Sequence, residues 1–418
     1  MGSILYFRDT VAQTIFKPNS MHYYNTEIGQ VATLDVIYDY SALRASIDRD
    51  AYVTNRICSM WRYHELLPLP IDCLRPPLAV GWTPLYNAPR LATNLGFREC
   101  HVKDDGLNPT GSLKDRASAM VVALALEMNA PVVSTASTGN AAAALAGVGA
   151  SVNDKEIEIV IFVPATAPQA KITQLLIYGA TVLLVEDSYD VAFDLCYETC
   201  VKEDWLCRNT GINPYTTEGK KTVAFEIAEQ LNWDMPDVVF VSVGDGSIIG
   251  GIHKGFSELY ELGWIEQVPR LIGVQAEGSS PLVKAWENNV SPIDMKPETV
   301  STIADSIAAG LPRDRVKAMR AVKETGGAFV AVSDTAILEA IPQFARLTGV
   351  FCEPSSAAIY AGAKRAKELG YVSPEDRVVF VATGTGLKDI PRAQKAVSGG
   401  IRVAPNLEAV RLALNLEH

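Results

Sequence analysis

From about residue 100 onward, short apolar runs rich in Val and Ile alternate with longer stretches whose apolar positions recur every three to four residues. A brief continuous apolar run marks a strand covered on both faces, and the longer spacing marks a helix with one packed side. The runs predict strands at 101–103, 132–135, 157–163, 181–185, 238–243, 271–275, 329–332 and 378–382. Helices are predicted at 141–148, 168–178, 190–202, 222–231, 249–262, 334–347 and 355–369. Strand and helix in alternation imply parallel sheets joined by right-handed crossovers. So many strands exceed one sheet, which predicts an α/β protein of two doubly wound parallel-sheet domains with a ligand cleft between them. The expected division is 81–116 with 232–418 as the large domain and 117–231 as the small one. Residues 1–80, ending in Leu66-Leu67-Pro68-Leu69-Pro70 and Arg75-Pro76-Pro77, read as an irregular segment packed on the large domain.

One polar run interrupts this pattern informatively. Asn108-Pro109-Thr110-Gly111-Ser112-Leu113-Lys114-Asp115-Arg116 sets a lysine between a turn-forming loop and a helical stretch, in which Met120, Val121 and Leu124 keep helical spacing. Burial and the positive helix end both disfavour an ammonium there, so the Lys114 amine gains nucleophilicity toward a carbonyl. A solvated lysine in a first helical turn would look the same in isolation.

Three further loops follow predicted strands. Ala136-Ser137-Thr138-Gly139-Asn140 offers amides, two hydroxyls and a carboxamide at a helix start, which suits a carboxylate and equally suits ordinary helix capping. Gly244-Asp245-Gly246-Ser247-Ile248 forms a glycine-rich turn before a helix, which suits a phosphate. A dinucleotide fingerprint fits it poorly, because the third glycine is Gly250, one position late. Thr383-Gly384-Thr385-Gly386 projects hydroxyls from the end of the last strand. An amine, a carboxylate site, a phosphate nest and a hydroxyl together are the parts needed to hold an aldehyde cofactor with one phosphate and an amino acid condensed onto it.

Composition narrows the partners. The 418 residues are 48% hydrophobic and carry a formal net charge of -11, which argues against nucleic-acid or anionic-membrane binding. The seven cysteines are scattered without a Cys-x-x-Cys pair, as expected of reduced thiols in a soluble cytoplasmic protein. Cys196 and Cys200 lie one helical turn apart with Cys207 beyond, yet no histidine is near, so they read as buried helix cysteines and no metal is expected.

Residues 108–116, the Ser-Thr-Gly-Asn loop, 244–248, Ile303-Ala304-Asp305-Ser306-Ile307, Cys352-Glu353-Pro354-Ser355-Ser356-Ala357-Ala358 and 383–389 together resemble the fold-type II pyridoxal-phosphate enzymes. Among these the likeness is greatest to the threonine synthase family. The resemblance implies pyridoxal 5'-phosphate held on Lys114 as a Schiff base. It also implies Asn140 at the cofactor's phenolic oxygen, Gly244, Asp245, Gly246, Ser247 and Ile248 around its phosphate, and Thr383 at its pyridine nitrogen. Ser137, Thr138, Gly139 and Asn213 would meet the amino-acid substrate. The implied reaction converts O-phospho-L-homoserine and water into L-threonine and phosphate in a homodimeric enzyme. A dehydratase or β-replacement enzyme of the same fold is the alternative within the class, and a non-catalytic amino-acid-binding scaffold the alternative outside it. Two departures bear on this choice. Residues 1–57 lack the cysteines of a zinc ribbon, and Asp187 stands where the family often has asparagine, so a carboxylate would repel a leaving phosphate if it faced the site.

Overall fold

The computed structural model describes residues 4–18, 21–152 and 157–416. Its strands are β1 (Ile4–Asp9), β2 (Ile15–Phe16), β3 (Leu34–Tyr38), β4 (Leu85–Asn87), β5 (Glu99–Asp104), β6 (Val132–Ala136), β7 (Glu158–Pro164), β8 (Thr181–Val185), β9 (Leu206–Cys207), β10 (Val238–Ser242), β11 (Arg270–Ala276), β12 (Ala328–Val332) and β13 (Arg377–Ala382). They form three sheets. The larger α/β sheet has the order β12-β11-β10-β13-β5-β4, and the smaller one β8-β7-β6-β9. All pairings in these two sheets are parallel except that of β4, an antiparallel edge. The near-continuous apolar runs follow from this topology: Val238, Val239, Phe240 and Val241 of β10 are wholly buried, because helices cover both faces.

Every strand predicted in this region is present, and the helices match closely with one exception. The helix expected at 222–231 begins at Tyr215. Its first turns are polar, yet Glu218, Lys220 and Lys221 are fully buried. Here Gly219 lets two helices touch, since a Cβ at that position would lie 2.2 Å from the carbonyl oxygen of Arg116.

The N-terminal segment departs from its expected irregularity. It carries an antiparallel sheet of order β2-β1-β3, and β3 is nailed to the body by buried lysines. Lys254 Nζ donates to the Val36 carbonyl at 2.8 Å and Lys317 Nζ to that of Leu34 at 2.7 Å. Short strands with charged neighbours in sequence hide such pairing from a reading based on periodicity.

Candidate active site

Lys114 opens the helix Lys114–Met128, and the loop before it is tied down along its length. Asn108 Oδ1 accepts from the Gly81 amide at 2.9 Å, and the Thr110 amide donates to the Asp115 carboxylate at 2.7 Å. The Leu113 amide donates to the Thr383 carbonyl at 2.9 Å, and the Thr385 amide returns to Gly111 at 3.1 Å. The lysine loop and the loop after β13 are thereby zipped together. Two residues past the lysine, Arg116 is wholly buried, with its Nε 2.6 Å from Asp105 and a second pairing to Glu226. Lys103 meets the same Glu226 at 2.6 Å. Two cations thus face two carboxylates in the core, so the start of the lysine helix has a rigid foundation.

The Lys114 side chain lines a cavity of about 50 Å3 together with Lys220, the glycine loop, Glu353 and Thr383. Burial pushes its amine below the ordinary lysine range, and Arg208 and Lys388 add to that, while Glu353 and Asp245 oppose it. The glycine loop follows β10 and ends in Gly246, whose φ of +88° starts the helix Ser247–Glu261. The first amides of that helix have no intrahelical acceptor and point toward the cavity end. Lys220 reaches the loop from below, its Nζ bonded to the Ser247 hydroxyl. It is fully buried, no carboxylate pairs with it among the described residues, and burial with the neighbouring Arg208 pushes its amine well down.

Arg208 is likewise fully buried, and among the described residues no carboxylate forms an ion pair with it. Its guanidinium donates to Ser118 Oγ at 3.1 Å, Thr210 Oγ1 at 3.0 Å and the Lys114 carbonyl at 3.5 Å. An uncompensated pair of buried cations beside a helix start is costly unless an anion joins them. A cofactor bearing an aldehyde and one phosphate therefore fits the groups present.

Thr383 Oγ1 lies 2.8 Å from Ser356 Oγ and 3.4 Å from Ser242 Oγ, a set of hydroxyls at the carboxyl ends of β10 and β13. Asn140 starts the helix Asn140–Ala150 and donates through Nδ2 to Glu353 at 2.9 Å and to Ser306 Oγ at 3.3 Å. Glu353 and Ser306 form a wall shared with a smaller second cavity, which Gly139, Asn140, Lys171 and Lys388 also line. Burial raises the carboxyl of Glu353 above its usual range. The expected residues therefore converge on two adjoining spaces, Lys114 in one and Asn140 at the edge of the other.

Five of the expected positions have partners or surroundings that the sequence did not show. Asn213 is buried away from both cavities, donating to the Cys207 carbonyl at 2.8 Å and accepting from the Tyr215 amide at 2.9 Å. Both ends of its amide serve the turn before the long helix, which corrects its assignment to the substrate. Asp187 is exposed and spends its carboxylate on the Ser188 amide, 2.6 Å away, outside the lining of either cavity. Ser137 and Thr138 are half-buried in the turn ahead of Gly139, where Ser137 Oγ accepts from the Gly139 amide at 3.1 Å. Asp245 contributes a carboxyl as well as its amide, and burial raises that carboxyl above its ordinary range. Lys220, Arg208 and Lys388 escaped the sequence reading, because a lysine or arginine in a polar helix start or loop looks solvated until the fold buries it.

The family model described as pyridoxal-phosphate dependent enzyme matches residues 77–384. A threonine synthase of Methanosarcina acetivorans is 38% identical over 384 residues, 91% of this chain and 92% of that protein. One from Methanocaldococcus jannaschii is 37% identical over 94% of this chain and 95% of its own length. The processed threonine deaminase isoform 2 of Solanum lycopersicum superposes with a TM-score of 0.63 at 25% identity, over 75% of this chain and 82% of that one. The chain belongs to the family of pyridoxal-phosphate-dependent enzymes, of fold type II, and pyridoxal 5'-phosphate is its cofactor. Within that family its relatives are threonine synthases, similar along nearly the whole chain.

Proposed function

We propose that this protein is a threonine synthase, converting O-phospho-L-homoserine and water into L-threonine and phosphate. The observation that carries the reading is that, among the described residues, a cation without an ion pair of its own reaches each space, Lys220 at the first cavity with Arg208 beside it and Lys388 at the second. A substrate with its own phosphate, acting beside a cofactor that brings another, needs two phosphate sites besides the one for its carboxylate. A dehydratase acting on serine or threonine needs only one. The position of Asp187, turned to its own backbone, removes the repulsion that its sequence raises against a leaving phosphate.

When bound, pyridoxal phosphate supplies an electron sink for negative charge developing on the substrate carbons. The chain's own groups divide the rest. Lys114 would hold the cofactor and move protons at the α, β and γ carbons of the substrate, and burial disfavours the charged form of its amine. Gly244, Asp245, Gly246, Ser247 and Ile248 hold the cofactor phosphate through their amides, with Lys220 behind them. Asn140 meets the phenolic oxygen. Thr383 meets the pyridine nitrogen as a hydroxyl, which cannot stabilise a pyridinium as a carboxylate would. Ser137, Thr138 and Gly139 hold the substrate carboxylate at a helix start. Lys388, pushed down by burial and facing Asp115 and Glu353, neutralises the departing phosphate.

The two α/β sheets support the division of 81–116 with 232–418 from 117–231. The seven free cysteines support a reducing cytoplasm. Leu407 and Leu412, 65% and 80% exposed on the C-terminal helix, support a homodimer that covers them. Among the described residues no helix is long and apolar enough to cross a membrane.

Incubation of the purified protein with O-phosphohomoserine, with phosphate and threonine measured together, tests the function. Equal molar release of both is expected. Release of neither, with ammonia formed from threonine or serine, would assign the chain to the dehydratases instead.

A further inference from the structure

Outside the cavities, the fold brings together three cysteines that the sequence separates. Cys196 and Cys200 share the inner side of the helix Tyr189–Lys202, and Cys207 ends β9. Their sulfurs all lie within 4.8 Å of one another, and the residues are 0%, 2% and 0% exposed. A tetrahedral zinc ion with bonds of about 2.3 Å to sulfur sets its sulfurs about 3.8 Å apart. The upper bound of 4.8 Å leaves the three sulfurs within about 1 Å of that spacing.

A fourth group is in place. Ser134 Oγ lies 3.4 Å from Cys196 Sγ. For bonds of about 2.3 and 2.0 Å, a sulfur and an oxygen on one tetrahedral zinc lie about 3.5 Å apart. Asn209 Oδ1, 3.7 Å from Cys196 Sγ, is already committed to the Ala136 amide at 2.7 Å and the Thr135 hydroxyl at 3.2 Å. It therefore closes the site from outside rather than entering it.

We propose that Cys196, Cys200, Cys207 and Ser134 form a closed structural zinc site. Its consequence is mechanical: the site pins the start of the segment Cys207-Arg208-Asn209-Thr210, which carries Thr210 to the wall of the lysine cavity and Arg208 to the Lys114 carbonyl.

Metal analysis of the untagged holoenzyme, prepared without chelators, tests this directly. About one zinc per chain is expected, released in step with mercurial modification of thiols, while Cys58 at the surface reacts first without releasing metal. Reduced protein stripped of metal and given cobalt should show the ligand-field bands of a tetrahedral thiolate site, a readout that needs no variant to fold. Ser134→Ala should keep the stoichiometry and weaken zinc at least tenfold, with Cys58→Ser unchanged. The proposal is overturned if the protein carries less than a tenth of an equivalent of zinc and the reduced form takes up neither zinc nor cobalt in tetrahedral geometry. A disulfide between two of the three in protein prepared under reducing conditions would overturn it equally.

Discussion

Two groups of buried charge stand a few residues apart in this chain and behave oppositely. Around Arg116 every cation has a carboxylate, with Asp105 and Glu226 facing Arg116 and Lys103 inside a wholly buried cluster. Around Lys114 the cations Lys220 and Arg208 have only hydroxyls and a carbonyl. The first group is complete in the folded chain and serves as scaffold. The second is complete only with a bound anion, so its residues are held in place for a ligand at the expense of the ligand-free fold. Burial alone would not separate these roles; the presence or absence of a counter-charge does.

The comparison breaks most severely at the lysine itself. Lys114→Met should lower turnover by about 10^3-fold or more, since no other amine occupies that position. It should not lower the melting temperature of the ligand-free protein, because it removes a buried cation. A steady-state assay with a calorimetric scan of the same sample checks both.

The scaffold group should respond in the reverse sense. Glu226→Gln strands Lys103 and leaves Arg116 with Asp105 alone, and should cost about 3–5 kcal/mol in denaturant unfolding, with activity lost through the fold rather than the chemistry. Recovery of native cofactor absorbance at low temperature would accompany such a loss.

Lys220→Met sharpens the distinction further. Losing one charge-assisted bond to phosphate should weaken pyridoxal phosphate by about 10–100-fold, while the ligand-free protein becomes more stable. The pH dependence carries the same sign. Burial holds the Lys220 amine well below the ordinary lysine value, so between its folded and unfolded pKa the unfolded chain binds the extra proton. Stability of the ligand-free protein should therefore rise with pH across that window, and the Lys220→Met variant should lose that part of the slope.

The smallest effect is expected at Asp187. Because its exposed carboxylate is bound to its own turn, Asp187→Asn should shift catalytic efficiency with O-phosphohomoserine by no more than about 1 kcal/mol, or roughly fivefold. A larger gain would mean that the carboxylate reaches the leaving group during turnover.

Much of this was legible in the sequence where one physical signal dominates. Strands such as β10 and β13, buried on both faces, leave apolar runs that cannot be mistaken, and the loops after them are located by where those runs stop. The glycine-rich turn was readable as a turn before a helix, and the structure puts Gly246 there in the left-handed region, which glycine adopts without strain. What stayed hidden depends on partners far along the chain. The helix start at Tyr215 is polar and buried by ion pairing, so hydrophobic periodicity begins a full two turns late. Asn213 looked like a ligand for substrate, yet its amide closes a local turn. The three cysteines approach only when β9 joins β6 beside their helix, which spacing alone could not supply.

The central claim is that the unpaired cations mark the place where the cofactor sits, with Lys114 as its attachment. Reduction of the yellow holoenzyme with borohydride, followed by mass analysis of its peptides, tests this most directly. The account predicts one pyridoxyl group per chain, on the peptide containing Lys114. Its recovery on Lys220, Lys388 or any other lysine, or protein that stays colourless with added pyridoxal phosphate, would contradict it.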